Sequence, residues 1–222
     1  MDTLQERADK IASEGIFLGG TRERFEIAGR TLLAVLLREG LYPNSKVLDI
    51  GCGCLRGGYW LIHFLDKNCY FGIEPNKKML DAGIKHLLEP GLIAEKNPRF
   101  DNNSDFSFAI FKEKFDFLVA FSIWTHASKP QIQTMLDGFA ETTDKNGKFI
   151  TTYYPTTLFK PDYKGANWIG PGNPADPYGR AHHCFGWIKT ECEKRGLVAQ
   201  EIHEKAYQYW IQTWLRISHT AD

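Results

Sequence analysis

The sequence lacks an excess of charge of either sign. It contains 27 Lys and Arg residues against 27 Asp and Glu residues, so its formal net charge is zero. A protein that binds nucleic acid mainly through the phosphates is usually basic, because it must neutralise their charge. The balance therefore argues against nucleic acid as a partner, although a local basic patch is compatible with a neutral total.

Long apolar runs and an apolar leader are lacking too. Residues 1–7 are polar and charged, unlike a secretory signal peptide, and no apolar run has the length that crosses a bilayer. The five cysteines are odd in number and scattered, which favours reduced thiols over disulfides. Cys52 and Cys54 have no matching second pair, so a zinc site is not expected. We therefore expect a cytoplasmic protein without a membrane segment.

Residues 47–58, VLDIGCGCLRGG, organise the rest of the chain. An apolar run of strand length leads into glycines, and residues 59–65 continue as an apolar helix. This order is half of a nucleotide-binding βαβ unit, where glycines let the backbone turn sharply and let a ligand approach main-chain N–H groups. Residues 69–73 are typical of the next strand. It ends at Glu74, 23 residues after Gly51, where a carboxylate can accept hydrogen bonds from ribose hydroxyls.

Asp49 narrows the choice of ligand. A glycine turn alone is compatible with NAD, with a flavin or with no ligand at all. A carboxylate two residues before the first glycine would repel a pyrophosphate but attract an ammonium or a sulfonium. Together, residues 48–53 (LDIGCG) and 72–76 (GIEPN) closely resemble the first two signature motifs of class I S-adenosylmethionine (SAM) dependent methyltransferases. The resemblance continues over roughly residues 45–218.

The alternation of strand and helix patterns itself favours an α/β, doubly wound sheet. The resemblance implies a Rossmann-like, mostly parallel, seven-stranded sheet with helices on both faces and an antiparallel terminal hairpin. We expect one domain over residues 1–222, in which residues 1–44 form an N-terminal helical extension. Residues 155–183 are too rich in proline for a plain connection and too aromatic for a disordered linker, which predicts an ordered segment over the substrate.

Periodicity and capping signals predict the other elements. Helices are predicted over 3–14, over 21–39 with Thr21 as the cap, from 77 with Asn76 as the cap, from Ser128 or Lys129, and up to 195. A third strand is predicted around Arg99 and Phe100, and a fourth over 115–121. A turn over 144–147 is followed by strands over 148–154, 197–202 and 207–217.

The resemblance also implies which residues hold the cofactor. Gly51 and Gly53 would approach the methionine part of SAM, Asp49 would hold its amino group, and Glu74 would bind the ribose. After the third strand the family usually supplies a polar side chain to the adenine. The candidates are Asp101, Asn102 and Asn103, with a polar turn that binds no ligand as the alternative. At the end of the fourth strand, Phe121 and Ser122 resemble the family's methyl-facing fourth motif.

Three histidines are candidates for the general base that an attacking hydroxyl requires. His126 follows the methyl-facing strand end, and a helix-capping or packing role is the alternative. His182 and His183 lie where the segment 155–183 rejoins the fold. Since adjacent side chains point in different directions, at most one of them would face the substrate; a surface pair is the alternative. Catechol-type methyltransferases need acidic metal ligands after strands four and five. This chain has Ser122, Thr125, Thr156 and Thr157 there, so metal dependence is not expected.

The predicted activity is therefore methyl transfer from SAM to a small-molecule acceptor, with S-adenosylhomocysteine (SAH) as the product. An oxygen of a sugar or of another polar metabolite is the narrower expectation. One alternative is a protein or RNA methyltransferase. Another is a SAM-binding module without catalysis, against which the complete set of Asp49, Gly51, Gly53 and Glu74 argues.

Overall fold

The computed structural model describes residues 2–170, 178–204 and 211–220. The chain divides into two compact units, Met1–Ser104 and Asp105–Asp222. The first contains a parallel sheet in the order β3-β2-β1, made by β1 (Val47–Ile50), β2 (Tyr70–Ile73) and β3 (Arg99–Asp101). Strands β1 and β2 are buried along their whole length, as their apolar sequences predict for parallel strands covered on both faces.

The helices of the first unit follow the predicted pattern with one correction. Asn76 caps its helix as predicted, because its Oδ1 accepts the N–H of Met79 at 3.2 Å. Thr21 was wrongly predicted to cap the next helix: its side chain makes no capping hydrogen bond, and a 3₁₀ turn at Arg22–Arg24 precedes that helix. The helices are α1 (Leu4–Ser13), α2 (Phe25–Arg38), α3 (Gly58–Phe64), α4 (Lys77–His86) and α5 (Leu92–Lys96).

Helix α1 is fastened to the chain that follows α4. Arg7 donates to the carbonyl of Leu87 and pairs with Glu89, both at 2.6 Å, while Ala8 and Ile11 are fully buried. The apolar content of α1 is low, and these two buried side chains and one partly buried ion pair hold it against the chain after α4. The assignment of residues 1–44 as an N-terminal helical extension stays a prediction.

The second unit carries mixed strands. Strand β4 (Phe115–Ala120) runs parallel to β5 (Thr143–Pro155), which pairs antiparallel with β8 (Thr213–His219). Strand β7 (Leu197–Ile202) completes the antiparallel terminal pair with β8. The two-residue β6 (His182–His183) runs parallel to the end of β5. The helices are α6 (Lys129–Thr142) and α7 (Phe185–Glu193), with a 3₁₀ turn at Phe108–Phe111.

Several predictions for this unit are confirmed and one is wrong. Ser128 caps α6 in a reciprocal capping box with Gln131, and the antiparallel terminal hairpin is present. The predicted turn at 144–147 instead lies within β5, where the register against β4 shifts. Residues 207–210 of the predicted last strand, and Pro171, Pro174 and Pro177, lie outside the described residues.

The mostly parallel strands and antiparallel terminal pair confirm the predicted α/β fold class. The single domain over residues 1–222, with residues 155–183 as a substrate segment, stays a prediction. No helix within the described ranges is long and apolar enough to cross a membrane.

Candidate active site

The glycine turn after β1 is held to the end of β2. Gly51 and Gly53 have φ of 70° and 58°, in the left-handed region that favours glycine. The N–H groups of Gly51 and Cys52 both donate to the carbonyl of Ile73, at 2.8 and 3.1 Å. A Cβ on Gly53 would meet only the sulfur of Met79, at 3.5 Å, so backbone conformation rather than crowding requires glycine there.

Glu74 joins this turn to the start of α4. Its Oε2 accepts the N–H of Gly53 at 3.0 Å and its Oε1 accepts the N–H of Asn76 at 2.8 Å. Partial burial raises the pKa of Glu74, and the two N–H groups oppose that shift. Each oxygen keeps a second lone pair, which matches the pair of hydroxyls on a ribose.

Asp49 is a buried carboxylate in β1. The hydroxyl of Tyr70 donates to its Oδ2 at 2.8 Å, and Asp49 is 4% exposed. Burial raises the pKa of Asp49 to about 7, although the Tyr70 hydrogen bond acts in the opposite direction. A buried carboxylate with this pKa is stabilised by a nearby cation. The ammonium of the methionine part of SAM therefore fits this site.

Tyr70 is a functional candidate that the sequence reasoning missed. In the parallel register Asp49 lies opposite Gly72, two residues after Tyr70. Side chains alternate along a strand, so Tyr70 and Gly72 share a face. A Cβ on Gly72 would lie 2.9 Å from the sulfur of Cys52 and 3.0 Å from the ring of Phe100, so this position leaves little room for a side chain. A hydroxyl residue two positions before a strand glycine was the available signal.

Polar side chains at the end of β3 and just after it form hydrogen bonds with the backbone of the first unit. Asn102 donates through Nδ2 to the carbonyl of Glu74 at 2.6 Å. Asp101 accepts the backbone N–H and the side-chain amide of Asn103, at 2.8 and 2.6 Å. The hydrogen bond from Asn102 fixes the position of Glu74. A contact of Asn102 or Asn103 with adenine stays a prediction.

In the second unit, the end of β4 has an unusual backbone. Ser122 has a φ of 63°, which costs a residue other than glycine about 1–2 kcal/mol. Its N–H donates to the hydroxyl of Thr152 at 2.8 Å, and its own hydroxyl donates to Gln212 at 3.0 Å. Phe121 stacks on Trp214 with ring centroids 4.9 Å apart. The roles of Phe121 and Ser122 toward the cofactor stay predictions.

The three candidate histidines share one feature, a hydrogen bond from a single ring nitrogen to backbone carbonyl. A carbonyl only accepts, so that nitrogen carries the hydrogen, and the other nitrogen of the neutral ring holds a lone pair. The bonds are His126 Nδ1 to Gly179 O at 2.5 Å and Ile169 O at 3.2 Å, His182 Nδ1 to Pro155 O at 3.0 Å, and His183 Nε2 to Ala127 O at 3.1 Å.

Burial distinguishes the three rings. His183 is fully buried, and its pKa is lowered to about 4 mainly by that burial. His182 is 9% exposed, and its Nε2 is buried with no partner among the described residues. His126 is partly exposed and stacks on Trp168 with ring centroids 5.4 Å apart. Burial lowers the pKa of His126 as well. Access to a ligand therefore favours His126, while the catalytic role of all three stays a prediction.

A family model described as a methyltransferase domain matches residues 47–147, which include the glycine turn, Glu74 and the end of β4. Residues 47–147 are therefore a methyltransferase domain. A solved structure of the same fold contains bound SAM, the cofactor predicted here. Within the described residues, no group of three or more His, Cys, Asp or Glu side chains could hold a metal ion.

Solved structures of methyltransferases share the fold of this one. Magnesium protoporphyrin IX methyltransferase from Synechocystis PCC 6803, with bound SAH, has a TM-score of 0.64 at 16% identity, covering 90% of this chain and 85% of that chain. The glycopeptide N-methyltransferase MtfA has a TM-score of 0.65 at 12% identity, covering 87% and 90%. The O-methyltransferase NcsB1 from neocarzinostatin biosynthesis has 0.57 at 12%, covering 85% and 53%.

Proposed function

We propose that this methyltransferase transfers the methyl group of SAM to an oxygen of a small polar molecule such as a sugar, with His126 as the general base and SAH as the product. The names of the similar structures support a small acceptor. They include a magnesium protoporphyrin methyltransferase and an O-methyltransferase solved with 1,4-dihydroxy-2-naphthoic acid.

The observation that carries this proposal is the tautomer of His126. Its Nδ1–H is taken by the carbonyls of Gly179 and Ile169, so Nε2 holds the lone pair. Burial lowers the pKa of His126 below the ordinary value of 6.5, so the ring is neutral at pH 7. A partly exposed, neutral imidazole with a fixed tautomer can accept a proton from a hydroxyl.

The bound cofactor would supply a methyl group on a positively charged sulfur. As the O–C bond formed, the C–S bond would break and leave its electron pair on sulfur. The chain's own residues have two tasks. Asp49, Gly51, Gly53 and Glu74 hold the methionine and ribose parts, assisted by Asn102, Asn103, Phe121 and Ser122. His126 Nε2 takes the hydroxyl proton. His182 and His183 are the alternative bases, disfavoured because both residues are more deeply buried than His126.

The test is turnover with SAM over a panel of sugars and other hydroxylated metabolites, with methylated products identified by mass spectrometry. Replacing His126 by Gln should reduce kcat by about 10²–10⁴-fold, the usual contribution of a general base. SAH affinity, measured by calorimetry, should change by less than about twofold. The matched control is His203→Gln, because the side chain of His203 is largely exposed and pairs with Glu201 on the strand β7.

Two results would contradict the proposal. SAH binding without any methylated product over the panel would indicate a binding module. Unchanged kcat in His126→Gln would place the base elsewhere. The predicted cytoplasmic location is not addressed by this experiment and stays a prediction.

A further inference from the structure

We propose that Arg180 binds an oxyanion of the acceptor, so that the acceptor is a hydroxylated molecule carrying a carboxylate or a phosphate. The inference rests on the proposed function, because it names the substrate class of the same site. Arg180 lies in the second unit, between the partly exposed Tyr178 and the buried strand β6.

The guanidinium of Arg180 is placed by aromatic rings. Its Cζ lies 4.6 Å from the ring centroid of Tyr178 and 5.8 Å from that of Tyr154. Arg180 is half-buried, and it forms no ion pair with any carboxylate in residues 2–170, 178–204 and 211–220. A partly desolvated cation is stabilised by an anion, and the planar fork of an arginine suits two oxygens of one carboxylate or phosphate.

Hydrogen bonds to the two residues that flank Arg180 hold it beside the proposed base. On one side, the carbonyl of Gly179 accepts the Nδ1–H of His126 at 2.5 Å. On the other side, the N–H of Ala181 donates to the carbonyl of Thr125 at 2.7 Å. Arg180 is thus the residue between two anchors to the turn that carries His126. An oxyanion held by Arg180 would bring the hydroxyls of the same molecule toward that base.

His182 provides a second, independent observation. It follows Arg180 by two residues, so both side chains lie on one side of an extended chain, and both contact Tyr154. The ring of His182 stacks on Tyr154 with centroids 5.3 Å apart. Its buried Nε2 has no partner among the described residues, and its Nδ1–H is used by Pro155. Nε2 is therefore an acceptor that a ligand hydroxyl would satisfy.

Together, one guanidinium and one lone-pair nitrogen against the same tyrosine match a molecule with both an oxyanion and hydroxyl groups. Sugar acids and sugar phosphates have this combination, whereas neutral sugars lack the oxyanion. If Arg180 served only to pack against the two tyrosines, charge on the ligand would not matter. This difference is measurable.

The experiment measures binding to the SAH-saturated protein by ligand-observed NMR titration, with two pairs of probes that have similar sugar rings but differ in charge. The carboxylate arm compares galacturonate with galactose, and the phosphate arm compares glucose 6-phosphate with glucose. We expect at least one anionic probe to bind at least tenfold more tightly than its neutral partner. Arg180→Gln should reduce that ratio to less than about twofold, with SAH affinity unchanged.

Two further variants sharpen the result. Arg180→Lys keeps the charge but loses the fork, so it should retain phosphate binding better than carboxylate binding. Arg30→Gln is the matched control, because Arg30 also lies over an aromatic ring, that of Trp60, but pairs with Glu26. It should bind every probe as the wild type does.

Equal binding of charged and neutral probes by the wild type, or no binding of either anion, would overturn the inference. So would wild-type anion binding in Arg180→Gln. The wild-type comparison decides even if Arg180→Gln does not fold. Anion binding at Arg180 without methyl transfer to any hydroxyl would instead reject the proposed function and leave this site standing. Efficient methylation of neutral sugars alone would support the proposed function and reject the oxyanion site at Arg180.

Discussion

The candidate cofactor residues of the first unit and the candidate histidines of the second unit differ in how far apart their contacts lie along the chain. Asp49, Tyr70 and Glu74 come from two neighbouring strands and meet within about one βαβ repeat. His126, in contrast, is held by the carbonyls of Ile169 and Gly179. Local contacts leave a motif in the sequence, whereas contacts between distant segments do not.

The two regions also differ in chemistry. The first region presents backbone N–H groups and two carboxylates, and it suits a cofactor of fixed structure. The second region presents histidine rings. A backbone carbonyl accepts a hydrogen bond from one nitrogen of each ring, which leaves the lone pair on the other nitrogen. The same region contains the guanidinium of Arg180, which has no carboxylate partner in the described chain. On the proposed roles, this difference means that the strand–turn–helix recognises the cofactor, while side chains from loops recognise the acceptor.

The largest expected effect concerns Asp49, and it tests whether this carboxylate binds a ligand rather than stabilises the fold. With a folded-state pKa of about 7 and an unfolded value near 3.9, the unfolded state releases its proton first as pH rises. Stability therefore falls between about pH 4 and pH 7 and is flat above. Asp49→Asn should stabilise the ligand-free protein by up to about 4 kcal/mol at pH 8 and by nothing below pH 4.

Denaturant unfolding at pH 4 and pH 8 checks this result. SAH should raise the melting temperature of the wild type but not of Asp49→Asn, because the variant lacks the carboxylate for the ammonium. If Asp49→Asn were less stable than the wild type at pH 8, Asp49 would be shown to stabilise the fold itself.

The next effect concerns Glu74. In Glu74→Gln the amide NH₂ would face one of the two N–H donors, of Gly53 or Asn76, and leave it unsatisfied. We expect SAH affinity to fall by about 100-fold, measured by calorimetry. Glu95→Gln, an exposed change in α5 of the same unit, should leave the affinity as it is. Equal affinities in the two variants would remove Glu74 from the cofactor site.

A smaller effect is expected at Tyr70. Tyr70→Phe removes the hydrogen bond that opposes the raised pKa of Asp49, so more of the carboxylate is protonated at pH 7. SAH affinity should fall by roughly tenfold at pH 7 and recover at pH 9, since deprotonation restores the charge. Tyr59→Phe is the control, because the Tyr59 hydroxyl also faces a carboxylate, that of Glu89, at 3.4 Å. A loss independent of pH would indicate a purely structural role for Tyr70.

The smallest expected effect concerns the second unit, where the pKa of His126 sets the pH dependence of activity. Burial lowers the pKa of His126, so activity should rise with pH through a midpoint below 6.5 and then stay constant. Trp168→Leu would expose the His126 ring and move that midpoint upward, as pH profiles of kcat/KM would reveal. An unmoved midpoint would mean that another group titrates.

The strand–turn–helix, the acid at the end of β2 and the caps of α4 and α6 were predictable, because each depends on residues close in sequence. The 3₁₀ turn after Thr21 and the continuation of β5 through residues 144–147 were not. A hydroxyl residue allows capping without requiring it, and a turn-like sequence can be overridden by pairing with a neighbouring strand.

The sequence by itself therefore determined the fold class and placed Asp49, Gly51, Gly53 and Glu74 in the strand–turn–helix of a methyltransferase domain. Only the tertiary structure decided which nitrogen of His126 is free, that Tyr70 contacts Asp49, and that Arg180 lies between two anchors to the Thr125–His126 turn. The physical reason is that a tautomer or a buried charge depends on its hydrogen-bond partners. For His126 those partners are 43 and 53 residues away along the chain.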